Sequence, residues 1–297
     1  MELFKNRPVT LVLSSGGSRG LAQIGAINKL QEYGFNISSV AGSSIGSLIG
    51  GLYVMGKLQD YSEWVKTLNR KLVWDLMDFT ISSNGLLKGE RVFEKMRPFF
   101  PDVNIEDIPI PFVVVATDII NKKPVIFNEG SIYEAIRASI ALPAVFTPVY
   151  YKQTVLVDGG ILNPIPVEHA VRLADDLLVV VNLYAPDDSY SEKEESAQSQ
   201  FFSHSIAENG FLKSITRLIA SGEKKSPGYI SLLSSTSSAM IHRIANLNID
   251  KHKPDILINI PYKAANTFDF HKADQLIKLG EDSAEEAIQA FIHSVDI

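Results

Sequence analysis

The residues with the clearest chemical signature form the stretch Gly42-Ser43-Ser44-Ile45-Gly46, a G-x-S-x-G pattern. A short strand, about Ile37 to Ala41, is predicted to lead into it, and a helix of small residues follows. In a nucleophile elbow of this kind the central serine stands on a sharp strand-to-helix turn, which favours flanking glycines. Ser44 would be exposed at a helix N-terminus, where free N–H groups favour negative charge. We therefore predict that Ser44 is a nucleophile and that Gly42 and Gly46 shape its turn.

A glycine-rich loop, Ser14 to Gly20, lies one strand earlier, between an apolar run at 9–13 and a helical pattern from Leu21. Such a loop can direct several backbone N–H groups at one anion. A dinucleotide fingerprint would need glycine at position 15, which is serine, and no acid follows the next strand. A Walker-like string at 51–57 is followed by Leu58, where a metal-binding Ser or Thr is required. Neither nucleotide interpretation is favoured.

An oxyanion fits the glycine-rich loop better. The loop and the elbow follow consecutive strands of one βαβ unit, and the C-terminal ends of adjacent parallel strands lie side by side. We expect backbone donors of Gly16, Gly17 and Ser18 to face Ser44.

A base for Ser44 is predicted at Asp158, in the stretch Val155-Leu156-Val157-Asp158-Gly159-Gly160. Asp-Gly is also a common turn signal, so a structural role is the competing interpretation. No histidine precedes His169, however, and an acid at the C-terminal end of a parallel strand would lie on the functional edge of the sheet.

Composition narrows the function classes. The chain has 297 residues, 45% of them hydrophobic, and a formal net charge of −6, which argues against a nucleic-acid partner. It contains no cysteine, so disulfides, thiolate metal sites and a cysteine nucleophile are excluded. No His, Asp or Glu group has ligand-like spacing, and we expect no metal or other cofactor. Without a signal segment or an apolar run near the ~20 residues that span a bilayer, we expect a cytoplasmic or at most peripheral protein.

The remaining pattern predicts one α/β domain over residues 1–297, with residues 186–250 as a mobile or lid-like helical insert. A loop is expected around 82–85 and a basic amphipathic helix at 211–219. A final helix from Lys272 to His293 is expected to be interrupted at Gly280.

Taken together, the loop at 15–20, the elbow at 42–46 and Asp158-Gly159-Gly160 resemble the three signature motifs of the patatin-like phospholipases. Their order and spacing match, as does the preceding stretch at 138–148, and the resemblance covers about Pro8 to Ala290. It implies a three-layer α/β/α fold with a mainly parallel central sheet. It also implies a Ser-Asp dyad without histidine that hydrolyses acyl esters of lipids, as a phospholipase A or lysophospholipase does.

Carried over position by position, the resemblance makes Ser44 the nucleophile and Asp158 the base. Gly16 and Gly17 match the oxyanion hole, with Ser18 beside them and Arg19 at the family's basic position. Ser15 departs from the family, which usually carries glycine there. If this position required a positive φ, Ser15 would be strained.

Two other functions stay open at this point. An α/β-hydrolase triad would use Ser44, Asp158 and a later histidine such as His169, although the elbow comes early for that fold. A catalytically weak module that binds a lipid or a partner would keep the pocket without turnover. The expected partner is a lipid or acyl-ester substrate, with peripheral membrane contact suggested by that substrate class.

Overall fold

The computed structural model describes residues 5–76, 90–101, 103–143, 145–186 and 229–295. The predicted loop at 82–85 and the predicted helix at 211–219 lie outside the described residues. The chain divides into two compact units, residues 1–186 with 241–297, and residues 187–240. The second unit is described only from residue 229, where a helix begins. The expectation of one domain with an insert at 186–250 therefore stays a prediction.

An 8-stranded sheet forms the centre of the first unit, in the order β5-β6-β3-β2-β1-β7-β8, with β4 paired to β3 outside this path. The strands are β1 (Pro8–Leu13), β2 (Asn36–Ser43), β3 (Phe112–Asp118), β4 (Lys123–Phe127), β5 (Val149–Tyr151), β6 (Thr154–Val157), β7 (Leu177–Ala185) and β8 (Ile256–Pro261). The neighbours from β3 through β8 in this order are parallel, whereas β4 and β6 run antiparallel to β3. The predicted α/β fold with a mainly parallel sheet is confirmed.

Helices cover both faces of the sheet. Those described are α1 (Leu21–Glu32), α2 (Ile45–Val54), α3 (Leu58–Lys66), α4 (Arg70–Leu76), α5 (Glu90–Met96), α6 (Ile132–Ser139), α7 (Tyr229–His252) and α8 (Ala273–Val295). Along β1, Leu11 and Leu13 face the larger apolar core, and Val12 between them faces a smaller core that includes Ala245 of α7. A strand buried on both faces needs such a continuous apolar run. Of the described helices, none is both long and apolar enough to cross a bilayer.

The last helix differs from its prediction, because α8 continues through Gly280 without a break. Gly280 is buried against α1, and a Cβ there would overlap the carbonyl group of Ala22. The residue thus permits a close approach of two helices and does not end one.

The strands β2 and β6 meet along one edge of β3. Ser43 at the end of β2 pairs with Val115, and Val157 at the end of β6 pairs with Thr117. Since β4 pairs with β3 from Val114 to Asp118, it occupies the opposite edge of that strand. Because β2 and β6 run in opposite directions along this edge, their C-terminal ends face each other. The expectation that Asp158 follows a parallel strand is therefore wrong, yet Asp158 still reaches the end of β2.

Candidate active site

The elbow is a single residue between a strand and a helix. β2 ends at Ser43 and α2 begins at Ile45. Ser44 has φ 54° and ψ −126°, a sparsely populated conformation for a residue other than glycine. Its side chain is half-exposed, whereas Gly42, Ser43 and Gly46 are buried. The turn therefore holds the Ser44 hydroxyl in one accessible position.

Ser44 and Asp158 are in direct contact. The Ser44 Oγ donates a hydrogen bond of 2.5 Å to Oδ2 of Asp158, and the N–H of Gly160 donates one of 2.8 Å to Oδ1. Asp158 is only 4% exposed. Burial raises the pKa of Asp158 to about 6, and the hydrogen bonds from Ser44 and Gly160 oppose that rise. The carboxylate is therefore a stronger base than an ordinary aspartate, whose pKa is ~3.9.

A second serine supports the elbow. The backbone N–H of Ser44 donates to Oγ of Ser139 at 2.9 Å, and that hydroxyl donates to the carbonyl of Val115 on β3 at 2.6 Å. Ser139 is the last residue of α6, whose start is capped by Ser131. Ser139 had no separate signal in the sequence beyond its place in the matched stretch at 138–148.

Two glycines of the loop have backbone donors to spare. Gly16 and Gly17 are half-exposed, and among the described residues no acceptor takes the N–H of either. Gly17 has φ 60°, and a side chain there would also collide with Thr267. The loop passes into a 3-10 turn, Gly17–Gly20, that packs against α2. These donors therefore lie at the same end of the sheet as Ser44.

The N–H of Ser18 is used differently from the prediction, whereas the place of Arg19 at the oxyanion hole stays a prediction. The N–H of Ser18 donates a hydrogen bond of 2.9 Å to the carbonyl of Thr267, and the Ser18 hydroxyl donates one to the carbonyl of Asn266. The Arg19 guanidinium is buried, donates to the carbonyl of Ala265 and lies 4.4 Å from the ring centroid of Tyr262. Both residues tie the loop to the segment after β8. The structure thus removes the N–H of Ser18 from the set of oxyanion donors and gives the Arg19 side chain an anchoring contact.

Ser15 is not strained. The residue of this loop with a left-handed backbone is Gly17, and Ser15 does not share that conformation. The Ser15 hydroxyl is hydrogen-bonded to the Tyr184 hydroxyl at 2.5 Å. Tyr184 is buried at the end of β7, and burial raises the pKa of its hydroxyl. A tyrosine that ends an apolar run at the functional edge was the available signal for this contact.

Neither a histidine partner for Ser44 and Asp158 nor a metal site is found in the part of the chain that the structure describes. Within the ranges that the structure describes, no histidine bonds to Ser44 or to the Asp158 carboxylate. His169 instead lies 3.4 Å from the Glu168 carboxylate. Among the same residues, no group of three or more His, Asp or Glu side chains could hold a metal ion.

Similarity to known proteins extends over most of the chain. A sequence model described as patatin-like phospholipase matches residues 11–171, which include Ser44 and Asp158. An uncharacterised NTE family protein of Mycobacterium tuberculosis is 29% identical over 330 residues, covering 95% of this chain and 92% of that protein. Lysophospholipase nte1 of Aspergillus niger is 29% identical over 279 residues, covering 92% of this chain and 18% of that protein. The crystal structure of VipD from Legionella pneumophila aligns with a TM-score of 0.46 at 14% identity, covering 95% of this chain and 67% of that one.

Proposed function

Because the chain belongs to the patatin-like phospholipase family, we propose that it is a serine hydrolase that cleaves acyl esters of lipids, as a phospholipase A or lysophospholipase does. The observation that carries this proposal is the 2.5 Å hydrogen bond from the half-exposed Ser44 hydroxyl to the buried Asp158 carboxylate. The curated relatives named as lysophospholipases support a lipid substrate.

In the proposed acylation step, Asp158 accepts the proton of Ser44 while Oγ bonds to the ester carbonyl carbon. The carbonyl oxygen becomes an oxyanion, which the N–H groups of Gly16 and Gly17 stabilise. Such a donor contributes roughly 3–4 kcal/mol in other hydrolases. When the carbon–oxygen bond to the leaving alcohol breaks, Asp158 returns the proton to that alcohol. The products are the free alcohol and an ester on Ser44.

Deacylation reuses the same groups. A water molecule gives a proton to Asp158 as its oxygen attacks the acyl carbon, and the oxyanion forms again beside the loop. Collapse of this intermediate releases the fatty acid, and the proton returns from Asp158 to Ser44. One carboxylate therefore serves as base and acid in turn.

The test compares hydrolysis of a medium-chain p-nitrophenyl ester by the wild type, Ser44→Ala and Asp158→Asn. We expect both variants to lose at least about 1,000-fold in kcat, since each removes a group needed for acylation. Ser38→Ala and Asp255→Asn serve as matched controls, because these residues lie at the opposite end of the sheet. Labelling by a fluorophosphonate should depend on Ser44 and be slowed in Asp158→Asn.

Each rival has its own result. If Ser44→Ala keeps wild-type turnover, the nucleophile assignment is wrong. Loss of activity in any single His→Ala variant, including His204 outside the described residues, would favour a histidine-containing triad. A folded wild type that binds lipid without hydrolysing any ester would be a binding module.

A further inference from the structure

Two exposed turns stand side by side at the end of the sheet that holds the dyad. One joins β3 to β4 and the other joins β5 to β6. Val155 of β6 pairs with Tyr150 of β5 and accepts a hydrogen bond of 3.1 Å from the N–H of Ile119. The side chains of interest on these turns, here named the basic rim, are Ile119, Ile120, Lys122, Lys123, Tyr150 and Lys152.

The basic rim lies farther along the direction of β3 than Ser43 does. Ser43 pairs with Val115, and β3 continues for three more residues to Asp118 before the first turn begins. At about 3.3 Å per residue, the turn starts roughly 10 Å past Ser43 along the strand direction. The basic rim therefore lies beyond Ser43 at this end of the sheet.

The rim exposes large apolar side chains. Tyr150 is 83% exposed, Ile120 59% and Ile119 46%. Single exposed apolar residues are ordinary, but a group of them on adjoining turns indicates an interaction site. Two isoleucines at the tip of a tight turn have no role in the described core.

The charge of the rim is positive, although the whole chain carries −6. Lys122, Lys123 and Lys152 are exposed, and no Asp or Glu occurs in residues 119–126 or 147–157. The nearest acid along the chain, Asp118, is buried and accepts hydrogen bonds from Asn121 and Thr154. The rim therefore presents lysines whose charge is not neutralised within these two turns.

We propose that the basic rim docks the protein on a lipid surface that carries anionic headgroups. Apolar side chains that enter the interface and lysines that attract the headgroups are the two contributions that together give stable peripheral binding. This inference rests on the proposed function, since docking would bring the edge with Ser44 to the substrate. Charge complementarity selects anionic lipid over a neutral bilayer.

The experiment measures co-sedimentation with phosphatidylcholine vesicles and with mixed phosphatidylcholine–phosphatidylglycerol vesicles. We expect the wild type to prefer the mixed vesicles, with binding weakened by high salt. Lys122→Glu/Lys123→Glu should lose at least about 25-fold in partitioning, because removing each lysine alone costs about fivefold. The matched control is Lys5→Glu/Lys253→Glu, which makes the same charge change at exposed positions elsewhere.

The apolar contribution is tested with Ile119→Ser/Ile120→Ser/Tyr150→Ser, which should lose about tenfold or more. Its control is Leu173→Ser, because Leu173 is 45% exposed and lies before β7, away from the rim. Hydrolysis of a soluble short-chain p-nitrophenyl ester should be unchanged in all these variants, whereas hydrolysis of vesicle lipid should fall with binding.

Two results would overturn the docking surface. One is equal partitioning of the rim variants and their controls. The other is a wild type that does not bind vesicles but self-associates through the rim, which would make it a protein interface. Binding of Ser44→Ala to vesicles reports docking without turnover. A wild type that binds through the rim yet hydrolyses no ester would therefore contradict only the proposed function.

Discussion

At the scale of single residues, the burial of Asp158 should be visible in the pH dependence of catalysis. Desolvation raises the pKa of Asp158 to about 6, and the proposed base acts only when deprotonated. We expect kcat/KM to fall about tenfold per pH unit below pH 6, where an unperturbed aspartate would sustain activity to about pH 4.

The measurement is a pH–rate profile on a soluble ester, with fluorescence at each pH to verify that the protein stays folded. Since a histidine would titrate near pH 6.5, the profile is repeated with His169→Ala and His204→Ala. If kcat/KM of the wild type falls only near pH 4, the role of the buried Asp158 carboxylate as the base is contradicted.

The residues that touch substrate in the proposal were accessible to sequence reasoning because they sit in ordered motifs. Ser44 and Asp158 each stand at a turn bounded by glycines. Which N–H groups of the glycine-rich loop are free to bind an oxyanion could not be predicted from the sequence. The N–H of Ser18 is taken by Thr267, which lies far along the chain, and no local pattern in residues 14–20 encodes that contact.

At the scale of secondary structure elements, the effect of Gly280→Ala on stability distinguishes a helix-weakening glycine from one that permits close packing of two helices. If this glycine only weakened a helix, Gly280→Ala would stabilise the protein by about 1 kcal/mol. Because a Cβ there would overlap the carbonyl group of Ala22, we expect a loss of roughly 1–3 kcal/mol in the free energy of unfolding.

Urea unfolding monitored by circular dichroism would measure the effect of Gly280→Ala, with Glu286→Ala on the exposed face of α8 as the control. Residual folded protein should keep its ester turnover, since Gly280 is remote from Ser44 in the proposed mechanism. A more stable Gly280→Ala variant would contradict close packing of α1 on α8.

Element types were easier to predict than element directions. The apolar run at 9–13 and the predicted strand before the elbow correspond to β1 and β2. The direction of β6 was predicted wrongly, because a four-residue strand carries no sign of parallel or antiparallel pairing. Direction is set by the connections through β5 and by the edge of β3 that remains free.

At the scale of the whole molecule, Asp158 should reduce stability at the pH where it works. The folded state holds a proton on Asp158 up to about pH 6, whereas the unfolded chain releases it near 3.8. As pH rises from 3.8 to about 6, the contribution of Asp158 to the free energy of unfolding therefore falls by about 3 kcal/mol. Asp158→Asn lacks the titration, so its stability relative to the wild type should increase between pH 4 and pH 7.

Denaturant unfolding of both proteins across that window gives the difference directly. Other carboxylates, such as Asp118 with its lowered pKa, contribute equally to both proteins and cancel. A difference that stays constant with pH would show that Asp158 has an ordinary pKa in the folded state.

The meeting of β2 and β6 along β3 also bears on how the protein matures. Ser44 and Asp158 are 114 positions apart, and the strands that carry them are brought together only when both have paired with the same edge of β3. Closing such long loops is slow compared with helix formation. We therefore expect the Ser44–Asp158 contact to form late in folding, so a chain that has formed the elbow alone would still lack the proposed base.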